Sequence, residues 1–177
     1  DVNRLIADAA DDPRSLTAQV MKKPFSVVLI DEIEKAHPNV LTALLQVLDE
    51  GILRDIKNRE VSFRDTIIIA TSNAGADKIR EIVERGYDIS KYEDSIVNNL
   101  ISTNQFRPEF LNRFDEITIF KPLSESDLLQ IVDLMIAGVN KTLASQKIKV
   151  SIMDDAKRIL VSAGYDPRLG ARPMRRI

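Results

Sequence analysis

Two short apolar blocks mark the first half of the chain, Ser26-Val27-Val28-Leu29-Ile30 and Thr66-Ile67-Ile68-Ile69-Ala70. Each is a β-branched run bounded by polar residues, and neither shows the polar–apolar alternation of a strand with one wet face. Both are read as buried strands of a parallel sheet. A third block, Glu116 to Phe120, does alternate and predicts a strand nearer a sheet edge. Between the first two, Val40, Leu41, Leu44, Leu45 and Leu48 recur at helical spacing behind Pro38, a residue suited to a first helical turn. Gly51 is placed to end that helix.

The polar segment from Gly51 to Phe63 carries both charges and ends in Glu60-Val61-Ser62-Phe63, which predicts a hairpin or protruding loop. Helices are predicted over 76–85 and 93–102, from Pro108 to about Phe114, and from a Ser124 cap through Leu143. After Ser145 the pattern changes. Lys147 to Ile152 alternates as a short strand, Asp154 to Ala163 suits a helix closed by Gly164, and another helix is predicted near Gly170. Strand–helix alternation followed by a mainly helical tail predicts an α/β domain over 1–122 and a small helical domain starting at 123 and running to 177.

Composition narrows the class. The 177 residues are 44% hydrophobic and 29% charged, the balance of a folded globular chain and not of a disordered one. Lysine and arginine number 25 against 27 acids, a net charge of −2, which argues against a general nucleic-acid or membrane-binding surface. A local basic cluster remains in Arg172, Arg175 and Arg176. With no cysteine, disulfides and thiolate metal sites are excluded, and a reducing, cytoplasmic setting is expected. Apolar runs such as Val27 to Ile30 are too short to cross a bilayer. Nothing near Asp1 resembles a signal peptide, and without an initiator methionine the chain reads as a piece of something longer.

The first candidate chemistry is Asp31-Glu32, two adjacent acids just beyond the carboxyl end of a buried strand, where ligands collect in open α/β sheets. In P-loop ATPases the first such acid holds magnesium on the nucleotide and the second orients or deprotonates the attacking water. Taken alone, the pattern equally fits a strand followed by a solvated turn. Other residues have plain readings too. Arg113 could pair with Glu109 one helical turn earlier, Asn73 could cap a helix, and Arg172 could belong to an ordinary basic surface. His37, the single histidine, sits just before Pro38 and suits a helix start better than catalysis.

The surrounding residues change that balance. The stretches Asp31-Glu32-Ile33-Glu34-Lys35-Ala36-His37-Pro38 and Leu44-Leu45-Gln46-Val47-Leu48-Asp49-Glu50-Gly51 resemble the Clp family of AAA+ unfoldases nearly residue for residue. Three more segments follow in that family's order. Thr71-Ser72-Asn73 resembles sensor 1, Phe106 to Arg113 (Phe-Arg-Pro-Glu-Phe-Leu-Asn-Arg) resembles the arginine-finger segment, and Gly164 to Pro173 resembles sensor 2. The likeness runs from Val2 to Arg176 and is greatest to the second, carboxyl-proximal ATPase module.

The resemblance implies an AAA+ P-loop-type parallel sheet with flanking helices, followed by a small helical lid. It implies that Asp31 binds Mg²⁺, Glu32 activates water and Asn73 contacts the γ-phosphate of ATP. Arg113 would reach a neighbouring subunit's nucleotide in a ring, typically a hexamer, and Arg172 would touch the nucleotide of its own subunit. The implied activity is ATP-driven remodelling of polypeptide substrates.

Three departures temper this. A phosphate-binding loop needs glycines ahead of a lysine and a Ser or Thr, and the first glycine here is Gly51. In the family that loop lies upstream, with two strands, one of them central to the sheet. The sheet is therefore expected to lack its P-loop strand. The fragment alone is expected to bind ATP and Mg²⁺ weakly or not at all, and to be inactive. Second, relatives carry an aromatic-Val-Gly pore loop where Ala7 to Ser15 has no aromatic, so Asp55 to Arg59, where relatives place a second pore loop, is the remaining candidate for substrate contact. Third, the aliphatic-Gly-aromatic tripeptide of peptidase-docking unfoldases has only Arg85-Gly86-Tyr87 in its place, which suggests a role without a peptidase. Two other readings stand beside the remodelling machine. One is a non-catalytic AAA+ scaffold, favoured by the missing pore aromatic. The other is a different AAA+ remodeller, of nucleic acid for instance, disfavoured by the near-neutral charge.

Overall fold

The computed structural model describes residues 5–7, 12–166 and 170–176. Its contacts divide the chain into a unit over residues 1–119 and another over 120–177. The first unit contains α1 (Leu16–Lys22), β1 (Ser26–Ile30), α2 (Pro38–Glu50), β2 (Ile52–Arg54), β3 (Glu60–Ser62), β4 (Thr66–Ala70), α3 (Ala76–Glu84), α4 (Glu93–Ser102) and α5 (Pro108–Leu111). A 3₁₀ turn, Ile33–Lys35, joins β1 to α2.

The helix α2 follows from its terminal residues. Pro38 supplies a preset φ and no donor, His37 occupies the N-cap, and the His37 Nδ1 accepts the Asn39 N–H at 3.2 Å. At the other end Gly51 takes φ +68, and a Cβ there would lie 2.7 Å from Arg64 Cγ, so glycine is favoured both by the backbone and by the neighbouring side chain. The helix serves two cores. Leu44 packs with Ile33, Leu100, Phe106, Phe110 and Leu111, whereas Val47 packs with Val20, Leu53, Val61 and Phe63. Each such buried side chain contributes roughly 1.5–3 kcal/mol, so α2 is the spine on which the rest of the unit is hung.

β1 and β4 pair in parallel, Ser26 opposite Thr66 through Ile30 opposite Ala70. The sequence suggested strands buried on both faces. The structure covers only one: Val27, Leu29, Ile67 and Ile69, on the other face, are 46–64% exposed. The composition of these strands suits two covering layers, and the described residues supply one. The predicted strand at Glu116 to Phe120 has no regular secondary structure and no ladder partner among the described residues. A strand exists only with a ladder partner, and β1 and β4 pair with each other alone among the described residues. Ile119 instead packs against Ile82, Ile89 and Ile96, while Phe120 is 85% exposed.

β2 and β3 form the expected hairpin, Ile52 opposite Ser62. Its tip is organised by Asp55, which is buried. The Asp55 carboxylate accepts the Lys57 N–H at 2.9 Å, the Arg59 N–H at 2.9 Å and the Arg59 Nε–H at 2.7 Å. Burial alone would raise the Asp55 carboxyl, but the hydrogen bonds from Arg59 and Lys57 outweigh it and hold it below the ordinary carboxylate range. A depressed folded-state pKa stabilises the tip above the unfolded value, about pH 4, and that stabilisation is lost as pH falls through the folded value. Asp55→Asn is expected to speed amide exchange over residues 56–59 by about tenfold or more at neutral pH. Exchange at the parental rate in the variant would show that the carboxylate does not hold the tip.

The second unit contains α6 (Glu125–Leu143), α7 (Asp154–Gly164) and a 3₁₀ turn at Arg172–Arg176. A full capping box starts α6: Ser124 Oγ accepts the Asp127 N–H at 3.2 Å and Asp127 Oδ2 accepts the Ser124 N–H at 2.9 Å. The core is Leu128, Val132, Val161 and Met174. By length and composition residues 125–146 would span a bilayer. This helix nevertheless buries Leu128 and Val132 in that core and pairs Asp133 with Lys157 of α7 at 2.7 Å.

Two expectations need correction here. Lys147 to Ile152 is not a strand, because Asn140 satisfies its backbone: Oδ1 accepts the Val150 N–H at 2.7 Å and Nδ2 donates to the Val150 carbonyl at 2.8 Å. The helix predicted near Gly170 is the short 3₁₀ turn. Residues 1–4 of the amino-terminal motif, 8–11 of the segment compared with a pore loop, and 167–169 of the sensor-2 motif lie outside the described residues.

Candidate active site

Because β1 and β4 are parallel and in register, their carboxyl ends emerge side by side. One delivers Asp31 and Glu32, the other Thr71, Ser72 and Asn73. The ladder continues past the strands. The Thr71 N–H donates to the Ile30 carbonyl at 2.9 Å, and the Ile33 N–H donates to the Thr71 carbonyl at 3.0 Å. The Thr71 hydroxyl donates to Asp31 Oδ1 and accepts the Glu32 N–H at 3.2 Å. Glu32 itself sits in the left-handed region, φ +54 and ψ +51. For a non-glycine residue that conformation costs on the order of 1 kcal/mol and persists only where neighbours enforce it.

Two further contacts bind the acids to the sensor turn. Glu34 Oε1 accepts the Asn73 N–H at 3.3 Å. Burial works to raise the Glu34 carboxyl, yet hydrogen bonds from Ser72 and the local backbone, with the Lys35 charge, bring it below its ordinary value. Lys35 Nζ lies 2.7 Å from Glu32 Oε1, and this hydrogen bond holds the ammonium above its ordinary range. The Asn73 side-chain amide makes no hydrogen bond among the described residues, so it is available to a ligand rather than used as a cap; the α3 N-cap is Gly75.

Arg113 lies elsewhere on the same unit. Phe106, Phe110 and Phe114 form a ring ladder, with centroids 5.8 and 5.3 Å apart, that anchors α5 in the core. The turn after it presents Arg113, whose Nε lies 2.5 Å from Asp49 Oδ1 at the last turn of α2. The partner is thus Asp49 and not Glu109, which faces Arg107 at 3.8 Å. The acids precede the first turn of α2 in the chain, whereas Arg113 pairs with the last turn of that helix. Asp31, Glu32 and Asn73 are brought together; Arg113 is not brought to them. Arg172 is exposed on the 3₁₀ turn of the second unit.

An open groove of about 860 Å³ flanks β1, lined by residues including Val27, Leu29, Lys35 and His37. Neither the paired acids nor Asn73 line it, but Lys35, the ion-pair partner of Glu32, does.

The donors at the strand tips fit a magnesium nucleotide in part. Mg²⁺ is bound through one or two carboxylates with phosphates and waters completing its shell, and Asp31 offers one oxygen beyond the one engaged by Thr71. A glycine-rich phosphate clamp is not in the sequence. Sequence reasoning missed Thr71, Glu34, Lys35 and Asp49 as partners. Register supplies the signal for Thr71: residue 71 follows β4 as residue 31 follows β1. Nothing along the chain marks Asp49 as the partner of Arg113.

Paired acids and an amide sensor on adjacent parallel strand tips, with a separate helical unit after them, define an AAA+-type ATPase module. Comparison agrees. Residues 6–117 match the family described as AAA domain (Cdc48 subfamily), and residues 123–177 match the C-terminal, D2-small domain of ClpB protein. The chain belongs to the Clp family of AAA+ ATPases, as part of the second ATPase module. It is 50% identical over 166 residues to ATP-dependent Clp protease ATP-binding subunit ClpE of Streptococcus pneumoniae, covering 94% of this chain and 22% of that protein. It is 48% identical over 169 residues to chaperone protein ClpB of Aquifex aeolicus, covering 91% and 16%. A closed-state cryo-EM reconstruction of Hsp104 with ATPγS and FITC casein superposes with a TM-score of 0.76 at 36% identity, over 90% of this chain and 28% of that one. The chain thus spans about a fifth of the length of the curated relatives it matches.

Proposed function

We propose that this chain is the acid-and-sensor part of the second ATPase module of an ATP-driven protein-remodelling machine, assembled as a hexameric ring in the cytoplasm. In this reading Asp31 holds Mg²⁺ on the nucleotide, Glu32 accepts a proton from the attacking water, and Asn73 hydrogen-bonds the water or the γ-phosphate. Arg113 completes the neighbouring subunit's site, and Arg172 contacts its own subunit's nucleotide from the small unit. Bound ATP·Mg²⁺ supplies the phosphoryl group to be cleaved; the chain's residues orient and polarise it.

The observation that carries the reading is the division of labour along α2. The acid cluster is braced by Thr71 at the strand tips, whereas Arg113 is held by Asp49 at the last turn of α2, with no hydrogen bond or ion pair between the two sets among the described residues. The Arg113–Asp49 pair is half-exposed and so is worth at most about 1 kcal/mol, little enough to be exchanged for a partner's phosphate. Polypeptide substrate would meet the hairpin tip around Asp55 to Arg59. With Arg85-Gly86-Tyr87 in place of an aliphatic-Gly-aromatic tripeptide, the role proposed is peptidase-independent. The scaffold alternative keeps one point in its favour, the absence of an aromatic between Ala7 and Ser15.

The full-length protein carrying this module is expected to unfold a tagged fluorescent reporter in an ATP-dependent way, read as loss of fluorescence. Turnover of ATP with no loss of fluorescence for any unstructured tag would favour assembly over remodelling.

A further inference from the structure

We propose that Thr71 is a positioning residue for hydrolysis, whose single hydroxyl sets both the Asp31 carboxylate and the backbone of Glu32. This rests on the ATPase reading above and assigns a role to a residue beside the sensor amide. The hydroxyl has one proton and two lone pairs. The proton goes to Asp31 Oδ1, and a lone pair receives the Glu32 N–H at 3.2 Å. With the proton committed to the first acid, the oxygen is left as an acceptor for the second residue's amide. The two contacts are therefore not interchangeable, and among the described residues no other side chain hydrogen-bonds both Asp31 and Glu32.

Consequences follow for each acid. At Asp31 one carboxylate oxygen is engaged by the hydroxyl, which restrains the rotamer and leaves the other oxygen to hold Mg²⁺ when the nucleotide is bound. Such supports of a metal-binding carboxylate are typically worth 10- to 100-fold in activity. At Glu32 the amide bond helps hold a residue with φ +54 that would otherwise relax to an ordinary turn. Relaxation would swing the carboxylate away from the nucleotide side of the strand tips, and a misplacement of about 1 Å can cost on the order of a hundredfold. Thr71 is itself fixed by main-chain bonds to Ile30 and Ile33, so the hydroxyl is delivered from a rigid position.

The test uses the full-length protein, with any other ATPase site in the polypeptide silenced at its own catalytic acid. Thr71→Val keeps the shape and removes the hydroxyl; Thr71→Ser keeps the hydroxyl. Thr71→Val is expected to lose about 10- to 100-fold in kcat, with ATP affinity within about twofold and the Mg²⁺ activation midpoint moved upwards. Thr71→Ser is expected to recover turnover to within about threefold. Should Thr71→Val fail to assemble, Thr71→Ala takes its place on the same criteria. Glu32→Gln, run alongside, separates the two readings. If Glu32→Gln abolishes turnover while the valine variant stays within twofold of the parent, Thr71 does not position the acids. If Glu32→Gln leaves turnover intact, Glu32 is not the base and the assignment of the acid pair in the ATPase reading fails. Loss of folding in both hydroxyl-free variants would make Thr71 a structural residue and overturn the proposal.

Discussion

Replacing Arg113 with alanine in the assembled full-length protein is expected to lower ATP turnover by a factor on the order of 10³ to 10⁵, the range seen for arginine fingers. Nucleotide affinity should change far less, because the finger acts on charge that develops during transfer. The structure adds a sharper test. Arg113 is paired with Asp49 of α2 and not with Asp31 or Glu32, and in the proposed reading it acts across a subunit boundary. Rings of Arg113→Ala subunits lack the finger, and rings of Glu32→Gln subunits lack the base. In rings mixed in equal amounts, a site works when an Arg113→Ala subunit, with Glu32 intact, receives Arg113 from a Glu32→Gln neighbour. Random assortment makes that roughly a quarter of sites in a closed ring of head-to-tail interfaces. Recovered turnover in mixed rings is the expected result. No recovery, with assembly verified by light scattering, would place Arg113 and Glu32 in the same site and remove the trans mechanism.

What the sequence made legible, and what it hid, has a physical pattern. The ends of α2 could be found because Pro38 and Gly51 act through their own stereochemistry, and the structure uses both. β1 and β4 could be found because compact β-branched runs have few alternatives to a buried sheet. Glu116–Phe120 and Lys147–Ile152 went wrong for one reason: alternation predicts an extended backbone, but a strand needs a partner elsewhere in the chain. In the first case none of the described strands accepts it, and in the second a single side chain, Asn140, serves instead. The exposed faces of β1 and β4 were hidden likewise, since an apolar run does not say how many layers cover it. At the site, Asp31, Glu32 and Asn73 were legible as residue types at strand tips. The hydroxyl of Thr71, the brace from Glu34 and the Asp49 partner of Arg113 depend on register and packing between distant segments, which local pattern does not encode.

Glu32→Gln distinguishes an enzyme from a scaffold most directly. Glutamine matches glutamate in size and keeps a carbonyl oxygen within reach of Lys35, now 2.7 Å from the carboxylate. The charge and the capacity to accept a proton are lost. If Glu32 is the general base, kcat should fall by about 10²- to 10⁴-fold, while a fluorescent ATP analogue should bind within a few-fold of its original affinity. Binding survives because Asp31, held by Thr71, still supplies the magnesium carboxylate, and Asn73 still presents a free amide. The variant should therefore accumulate rings filled with uncleaved ATP, visible as a nucleotide-bound species that no longer releases ADP. A scaffold predicts otherwise: if assembly alone is the task, Glu32→Gln should leave ring formation and every downstream activity at parental levels. Turnover within threefold of the parent would strike Glu32 from the mechanism. Asp31 and Asn73 would then keep their places as nucleotide ligands, and the group that takes the proton from water would have to be another residue.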